Sequence, residues 1–167
     1  IATVPAEFSL AFKVVNSSYT SALITSVGAD NAVNNAFIDS STNSHTITVS
    51  GDAHQTTFSP YRHGGYSTYF DGTGDYLLPA ANASFALGTG NFTIEFWMYA
   101  ENISSAQNIW DQRTGAGFTI NLSSSKVGFY SESSPTGYVV QSAALNNNQW
   151  YHVAFVRTGS AMVLYLN

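Results

Sequence analysis

Apolar and polar residues alternate in short runs along this chain. The clearest run covers residues 92–99. One set of alternate positions is entirely apolar: Phe92, Ile94, Phe96 and Met98. The other set mixes a charge with two aromatic residues: Thr93, Glu95, Trp97 and Tyr99. Successive side chains of a β-strand point to opposite faces, so this run predicts a strand with a buried face and a partly covered face. Glycine, asparagine and serine clusters separate such runs, which predicts an all-β fold without long helices.

The same reading predicts strands at 22–26, 45–50, 67–70, 76–79, 92–99, 108–112, 118–122, 126–131, 138–142, 150–157 and 162–167. Alternation is blurred in the run at 150–157, which indicates burial on both faces. Residues 1–20 contain one further alternating run, at 8–14, before a polar break. We interpret that segment as an N-terminal arm or an edge strand.

Composition narrows the function classes. Charged residues make up 9% of the 167 residues, against about 25% in ordinary soluble domains. The net charge is −5, and the five basic residues are scattered along the chain. Nucleic-acid binding needs clustered cations, so we expect no nucleic-acid partner. No apolar run approaches the roughly 18 residues of a membrane span, so we expect no membrane insertion.

Four phrases, in order, carry a family resemblance: Phe-Asp-Gly-Thr-Gly-Asp-Tyr at 70–76, Phe-Thr-Ile-Glu-Phe-Trp at 92–97, Trp-Tyr-His-Val-Ala-Phe-Val-Arg at 150–157 and Leu-Tyr-Leu-Asn at 164–167. Together they resemble the laminin-G-like branch of the concanavalin A-like lectin/glucanase domains. The resemblance implies a two-sheet antiparallel jelly-roll sandwich over residues 21–167. Members of that family continue beyond the last phrase, so we expect the domain to lack its final strands in this chain.

An upstream phrase narrows the resemblance. Asn-Ala-Phe-Ile-Asp-Ser-Ser-Thr-Asn at 35–43, followed by His-Thr-Ile-Thr-Val at 45–49, is similar to modules in tail, fibre and head-decoration proteins of tailed bacteriophages. The resemblance implies a virion structural module at the virion surface or outside the cell, with other virion subunits as partners and a homo-oligomeric state. The alternative is a carbohydrate-binding domain that attaches the virion to a host-surface glycan.

Catalysis is not expected. Glycoside hydrolysis needs two carboxyl groups about 5–10 Å apart. The strand that corresponds to the acidic motif of the related glucanases carries Glu95 alone, and Glu101 follows in a predicted loop. The sequence also shows no Ser/His/Asp pattern of nucleophilic catalysis. We therefore predict that the protein is not an enzyme.

Two kinds of binding site remain open. Asp71 and Asp75 flank a glycine-rich turn, where carboxylate oxygens could hold Ca²⁺, as the resemblance implies, or could cap the turn by hydrogen bonds to backbone amides. Sugar rings stack on exposed aromatic side chains, and nearby polar groups bind the hydroxyls. The candidates for such a carbohydrate site are Trp97, Tyr99, Trp110, Asp111, Arg113, Tyr130 and Tyr151. Most aromatic residues of a β-sandwich nevertheless pack in the core.

Overall fold

A computed structural model describes residues 19–26, 35–61, 65–113, 117–133 and 135–167. They belong to two compact units, the first ending at Ala86 and the second beginning at Leu87. The alternating run at 8–14 lies outside the described residues, and the domain boundary at residue 21 stays a prediction.

The described residues of the first unit form three antiparallel strand pairs. Its strands are β1 (Ile24–Ser26), β2 (Phe37–Asp39), β3 (Ile47–Ser50), β4 (His54–Thr56), β5 (Ser67–Tyr69) and β6 (Tyr76–Pro79). Strand β1 pairs with β2, β3 with β6 and β4 with β5. A 3-10 turn, Ala83–Phe85, follows β6 and is capped by the side chain of Asn82. Strands β2 and β4 were not predicted, because neither Phe-Ile-Asp nor His-Gln-Thr alternates apolar with polar residues.

The second unit contains two antiparallel sheets. Its strands are β7 (Phe92–Tyr99), β8 (Gln107–Gln112), β9 (Phe118–Ser123), β10 (Lys126–Ser131), β11 (Gly137–Gln141), β12 (Trp150–Thr158) and β13 (Ala161–Leu166). One sheet has the order β13-β12-β7 and the other has the order β11-β10-β9-β8. Each of these seven strands corresponds to a predicted strand, with ends that differ by at most one residue.

The core of this unit lies between its two sheets. Ile120 and Val127 from the four-stranded sheet, and Val153 and Phe155 from the three-stranded sheet, are completely buried. The rings of Phe129 and Phe155 lie 6.0 Å apart across the interface. Fully burying a side chain of this size stabilises a fold by about 1.5–3 kcal/mol. The alternating apolar positions of the sequence therefore define the inner faces of a β-sandwich.

Strand β12 departs from its prediction. Tyr151, Val153 and Phe155 are buried on the inner face, whereas Trp150, His152 and Val156 on the outer face are only half-buried. On that outer face only Ala154 is buried. The expectation of burial on both faces is therefore wrong for most of the strand. Large outward-facing aromatics blur the alternation without being covered.

The glycine-rich turn before β6 has the predicted backbone. Gly72 and Gly74 adopt φ values of +84° and +80°, in the left-handed region that glycine occupies without a Cβ clash. The described residues contain no α-helix, and the fold is the all-β, two-sheet antiparallel jelly-roll type that the sequence predicts. None of the helical segments described is long and apolar enough to cross a membrane.

Candidate functional site

The structure separates the predicted carbohydrate-site residues into three groups within the second unit. Trp97 and Tyr99 lie on the outer face of the three-stranded sheet. The outer face of the four-stranded sheet carries Asp111 and Tyr130, with Arg113 directly after β8. The other two, Trp110 and Tyr151, face the core. Because the two outer faces point away from each other, these seven residues cannot form a single site.

Strand register assembles an aromatic face on the three-stranded sheet. We define it as Glu95, Trp97, Tyr99, Trp150, His152 and Tyr165. Tyr99 is opposite Trp150, and Trp97 is opposite His152. Tyr165 is opposite Ala154, which is itself opposite Glu95. Rows on one face of a strand are about 7 Å apart, so these side chains cover a continuous strip.

Contacts within these rows and between them order the side chains of this strip. The rings of Trp97 and His152 lie 5.1 Å apart, and those of Tyr99 and Trp150 lie 5.4 Å apart. His152 Nε2 lies 3.7 Å from Glu95 Oε2, which brings a carboxylate beside the indole. Trp97 is 40% exposed and Tyr165 is 57% exposed. The face therefore presents flat apolar rings next to polar groups that accept and donate hydrogen bonds.

A second, more polar surface covers the other sheet. We define this tyrosine face as Asp111, Arg113, Asn121, Tyr130 and Tyr138. The rings of Tyr130 and Tyr138 meet edge to face at 5.1 Å, and the Tyr138 hydroxyl donates to Asn121 Oδ1 at 2.9 Å. A Cβ on Gly128 would lie 2.8 Å from ring carbons of Tyr138, so glycine allows that ring to lie close to the sheet.

Arg113 binds Asp111 through two nitrogens at the edge of the tyrosine face. Its Nε donates to Asp111 Oδ1 at 2.9 Å and its Nη2 donates to Oδ2 at 2.5 Å. These side-chain hydrogen bonds lower the pKa of the Asp111 carboxyl, and they raise the pKa of Arg113. Each partner satisfies much of the hydrogen-bonding capacity of the other, which leaves the pair less able to bind a ligand.

Two of the predicted residues lie on the inner side of the sandwich. Tyr151 is 7% exposed. Its hydroxyl accepts a hydrogen bond from the Asn146 amide and donates to Gln149 Oε1. Trp110 is half-buried and packs against the core. Neither ring offers a surface on which a sugar could stack, because alternation along β8 and β12 directs both inward.

Asp52 joins Asp71 and Asp75 in an acidic cluster in the first unit. One oxygen from each carboxylate lies within 4.8 Å of the others. Asp75 accepts hydrogen bonds from the amides of Asp71 and Asp52, at 2.9 Å each, and Asp71 accepts one from the Thr73 amide at 2.6 Å. The bond from the Asp71 amide is the largest influence on the Asp75 carboxyl and lowers its pKa. The predicted capping of the turn is therefore confirmed.

Asp39, Ser41, His45 and Ser84 form a buried polar group in the first unit, which we name the Asp39 clasp. Asp39 is 4% exposed and accepts hydrogen bonds from the amides of Leu23, Ser41 and His45. Its Oδ2 lies 2.6 Å from His45 Nδ1, and His45 Nε2 lies 3.2 Å from Ser84 Oγ. Residues distant in sequence thus meet in a Ser/His/Asp arrangement that no sequence pattern indicates.

Sequence reasoning considered Glu95 only for catalysis, and it missed three further members of the aromatic face: Trp150, His152 and Tyr165. Each was recognised as part of a strand, but the rows that place them beside Trp97 exist only through pairing with β12. Their outward positions in alternating strands were the available signal.

Comparisons with known proteins agree with this architecture. The family model of the concanavalin A-like lectin/glucanases superfamily, Laminin_G_3, matches residues 70–167. Among solved structures, a crystal structure of a mutant of HCR/D is similar, with a TM-score of 0.63 and 16% sequence identity. The alignment covers 90% of this chain and 38% of that chain, so this chain spans well under half of its length. No curated protein matches. The chain belongs to the laminin-G-like family of the concanavalin A-like lectin/glucanases superfamily.

Proposed function

We propose that this domain is a non-catalytic module that binds a host-surface glycan through the aromatic face, and that it acts at the surface of a bacteriophage virion. The observation that carries the glycan proposal is the exposed Trp97 ring, with Glu95 and His152 beside it. The phage context is supported by the sequence phrases at 35–49, which resemble modules of virion proteins.

The geometry suits a sugar in three ways. A pyranose ring stacks its apolar C–H face on an aromatic ring, and Trp97 and Tyr165 offer exposed rings. The Glu95 carboxylate accepts hydrogen bonds from sugar hydroxyls, and charge-assisted hydrogen bonds are the stronger kind. Paired strands hold these side chains, so little conformational entropy is lost on binding.

Two observations favour binding over catalysis. Glu95 is the only carboxylate in β7, β12 and β13, so the aromatic face lacks the second carboxyl that glycoside hydrolysis requires. Beside the Asp39 clasp, three backbone amides near Ser84 are already engaged. The Ser84 amide donates to Asn82 Oδ1, the Phe85 amide donates to the Asn82 carbonyl, and the Ala86 amide donates to the Ala83 carbonyl. An acyl intermediate at Ser84 would therefore lack these amides as oxyanion donors.

An array of host glycans and bacterial polysaccharides tests this proposal. We expect wild-type protein to bind a defined subset and the Trp97→Ala variant to lose that binding, because stacked aromatic residues dominate such interfaces. Tyr138→Ala, on the tyrosine face, is the matched control and should bind as wild type does. Mass spectrometry should find the bound saccharide intact. Binding that survives Trp97→Ala, or a cleaved saccharide, would contradict the proposal.

We also propose that the acidic cluster holds Ca²⁺. Three carboxylates of Asp52, Asp71 and Asp75 offer the oxygen ligands that this cation prefers, although amide hydrogen bonds occupy part of their capacity. Extracellular modules bind calcium with dissociation constants of about 0.1–1 mM. With a dissociation constant of about 1 mM, 10 mM calcium should raise the free energy of unfolding by about 1.4 kcal/mol, which corresponds to a rise in Tm of roughly 3–6 °C. Calorimetry with calcium and with chelator measures it, and equal Tm values in wild type would refute the site.

A second candidate function is assembly with other virion subunits. Among the described strands β13 pairs only with β12, and it exposes Val163 and Tyr165. A strand edge without a hydrogen-bonded neighbour can accept a strand from another chain. If β13 joins copies into a homo-oligomer, sedimentation should show an assembly that Val163→Lys dissociates. A wild-type monomer at high concentration would remove this candidate.

A further inference from the structure

A cavity of about 510 Å³ opens at one end of the second unit, away from the aromatic face. The ends of β10, β11, β12 and β13 form its walls together with the loop that precedes β7. Its apolar lining comes from Phe129, Val139 and Met162. Its polar lining comes from Thr89, Ser131, Arg157 and Ser160. Sites for small ligands have this volume and this mixture of apolar walls with a few polar groups.

Arg157 is the charged member of this end cavity, and the protein holds it firmly. Its Nε donates to the Gly90 carbonyl at 2.8 Å, and its Nη2 donates to the carbonyls of Leu87 and Gly88 at 2.9 and 2.8 Å. The guanidinium also lies 4.5 Å from the centroid of the Phe92 ring. These contacts fix the orientation of the group before any ligand arrives.

Among the residues that the structure describes, the positive charge of Arg157 has no anionic partner. Its hydrogen-bond acceptors are neutral carbonyls, and within the described parts of the chain no carboxylate lies within 4.0 Å of it. The remaining terminal nitrogen, Nη1, makes no hydrogen bond to a residue that the structure describes. A planar guanidinium with spare N–H donors matches a carboxylate group.

The walls of the cavity are joined without a ligand. The Gly159 amide, in the turn between β12 and β13, donates to Asn91 Oδ1 at 2.8 Å and so ties that turn to the start of β7. Phe129 is 5% exposed and its ring stacks on Phe118 at 4.7 Å, so the floor is rigid. Pre-organised walls reduce the entropy that a ligand must offset.

We propose that the end cavity binds a small organic carboxylate, with the carboxylate on Arg157, hydroxyl groups of the ligand near Ser131 and Ser160, and its apolar body against Val139 and Met162. Two sources share this chemistry: an acidic sugar, such as a uronate within a glycan, and a free non-sugar carboxylate. The site is separate from the aromatic face and does not depend on the proposed function of that face.

Titration of the whole chain, followed by nitrogen–proton NMR, tests the site with glucuronate, benzoate and neutral methyl glucoside. We expect a carboxylate to shift the Arg157 Nε–H signal and the Ser131 and Ser160 amides, and methyl glucoside to leave them unchanged. A response to glucuronate alone identifies the acidic sugar as the source, and an equal response to benzoate identifies carboxylates in general. If neither carboxylate moves these signals, or methyl glucoside moves them equally, the proposal is wrong.

The variant Ser160→Trp places an indole in the cavity from an exposed turn position, where folding should be preserved. We expect it to weaken carboxylate affinity at least tenfold, which corresponds to about 1.4 kcal/mol. Trp97→Ala is the matched control and should bind the carboxylate as wild type does, even though it removes glycan binding at the aromatic face. Unchanged affinity in Ser160→Trp would overturn the proposal.

Discussion

Replacing Asp39 with alanine should lower the free energy of unfolding by about 3–5 kcal/mol, because several hydrogen bonds that converge on this buried carboxylate lose their acceptor. The change leaves the amides of Leu23, Ser41 and His45 without their acceptor in a buried position. Each buried group left unsatisfied costs about 1–3 kcal/mol. Urea unfolding measures the loss, and Glu101→Gln, at an exposed acidic position, is the control. A loss below about 1 kcal/mol would contradict this role of the Asp39 clasp.

The same carboxyl makes stability depend on pH. Burial raises the pKa of Asp39, but the hydrogen bonds from Leu23, His45 and Ser41 outweigh that effect and hold it well below its usual range. In the unfolded chain the pKa of the Asp39 carboxyl is about 3.9, so in acid the unfolded state binds more protons than the folded state. The free energy of unfolding should therefore fall as the pH drops below about 4. Asp39→Asn cannot titrate at this position, so the difference between wild type and this variant should shrink from pH 5 to pH 2. A constant difference would contradict the linkage.

Replacing Arg157 with alanine should lower the free energy of unfolding by about 3 kcal/mol. Hydrogen bonds from a charged donor contribute about 1.5–3 kcal/mol, and the contact of the guanidinium with the Phe92 ring contributes about 0.5–1 kcal/mol. The planar guanidinium of Arg157 donates hydrogen bonds to three carbonyls of the loop at 87–90 through two different nitrogens. The single ammonium nitrogen of a lysine cannot reproduce that arrangement. Arg157→Lys should therefore recover only part of the loss.

Arg113→Ala is the matched control for Arg157→Ala. Its guanidinium pairs with Asp111 at the surface, where the two side chains are 54% and 37% exposed. Exposed ion pairs of this kind contribute about 0–1 kcal/mol. Denaturant unfolding of both variants should rank Arg157→Ala as clearly the less stable. Equal stability of the two variants would show that the carbonyl contacts of Arg157 contribute nothing beyond a surface charge.

The strands were predictable because successive side chains of a strand point to opposite faces, so that burial of one face requires apolar residues at alternate positions. In β7 the apolar set Phe92, Ile94 and Phe96 packs on the core, and the alternating set stays at the surface, as the period of two requires. The glycine-rich turn at 71–75 was predictable for a similar local reason, since its hydrogen bonds join residues within a few positions of one another.

The sites were less predictable, because register and long-range contacts create them. Trp97 and Tyr99 were chosen correctly as outward-facing, but Tyr151 was chosen one residue away from Trp150, and that single step changes the face of the sheet. The Asp39 clasp joins Asp39 and His45 to Ser84, 39 positions further along the chain, and no local sequence pattern indicates that contact. Asp52 likewise approaches Asp75 across 23 positions of sequence.

The central claim is that the aromatic face binds the glycan, and the indole N–H signals of the three tryptophans test it most directly. Trp97 and Trp150 lie on that face, while Trp110 packs against the core. Titration with the saccharide selected on the array should shift the Trp97 and Trp150 signals and leave the Trp110 signal in place. Saturable binding that leaves Trp97 and Trp150 unmoved would contradict the claim.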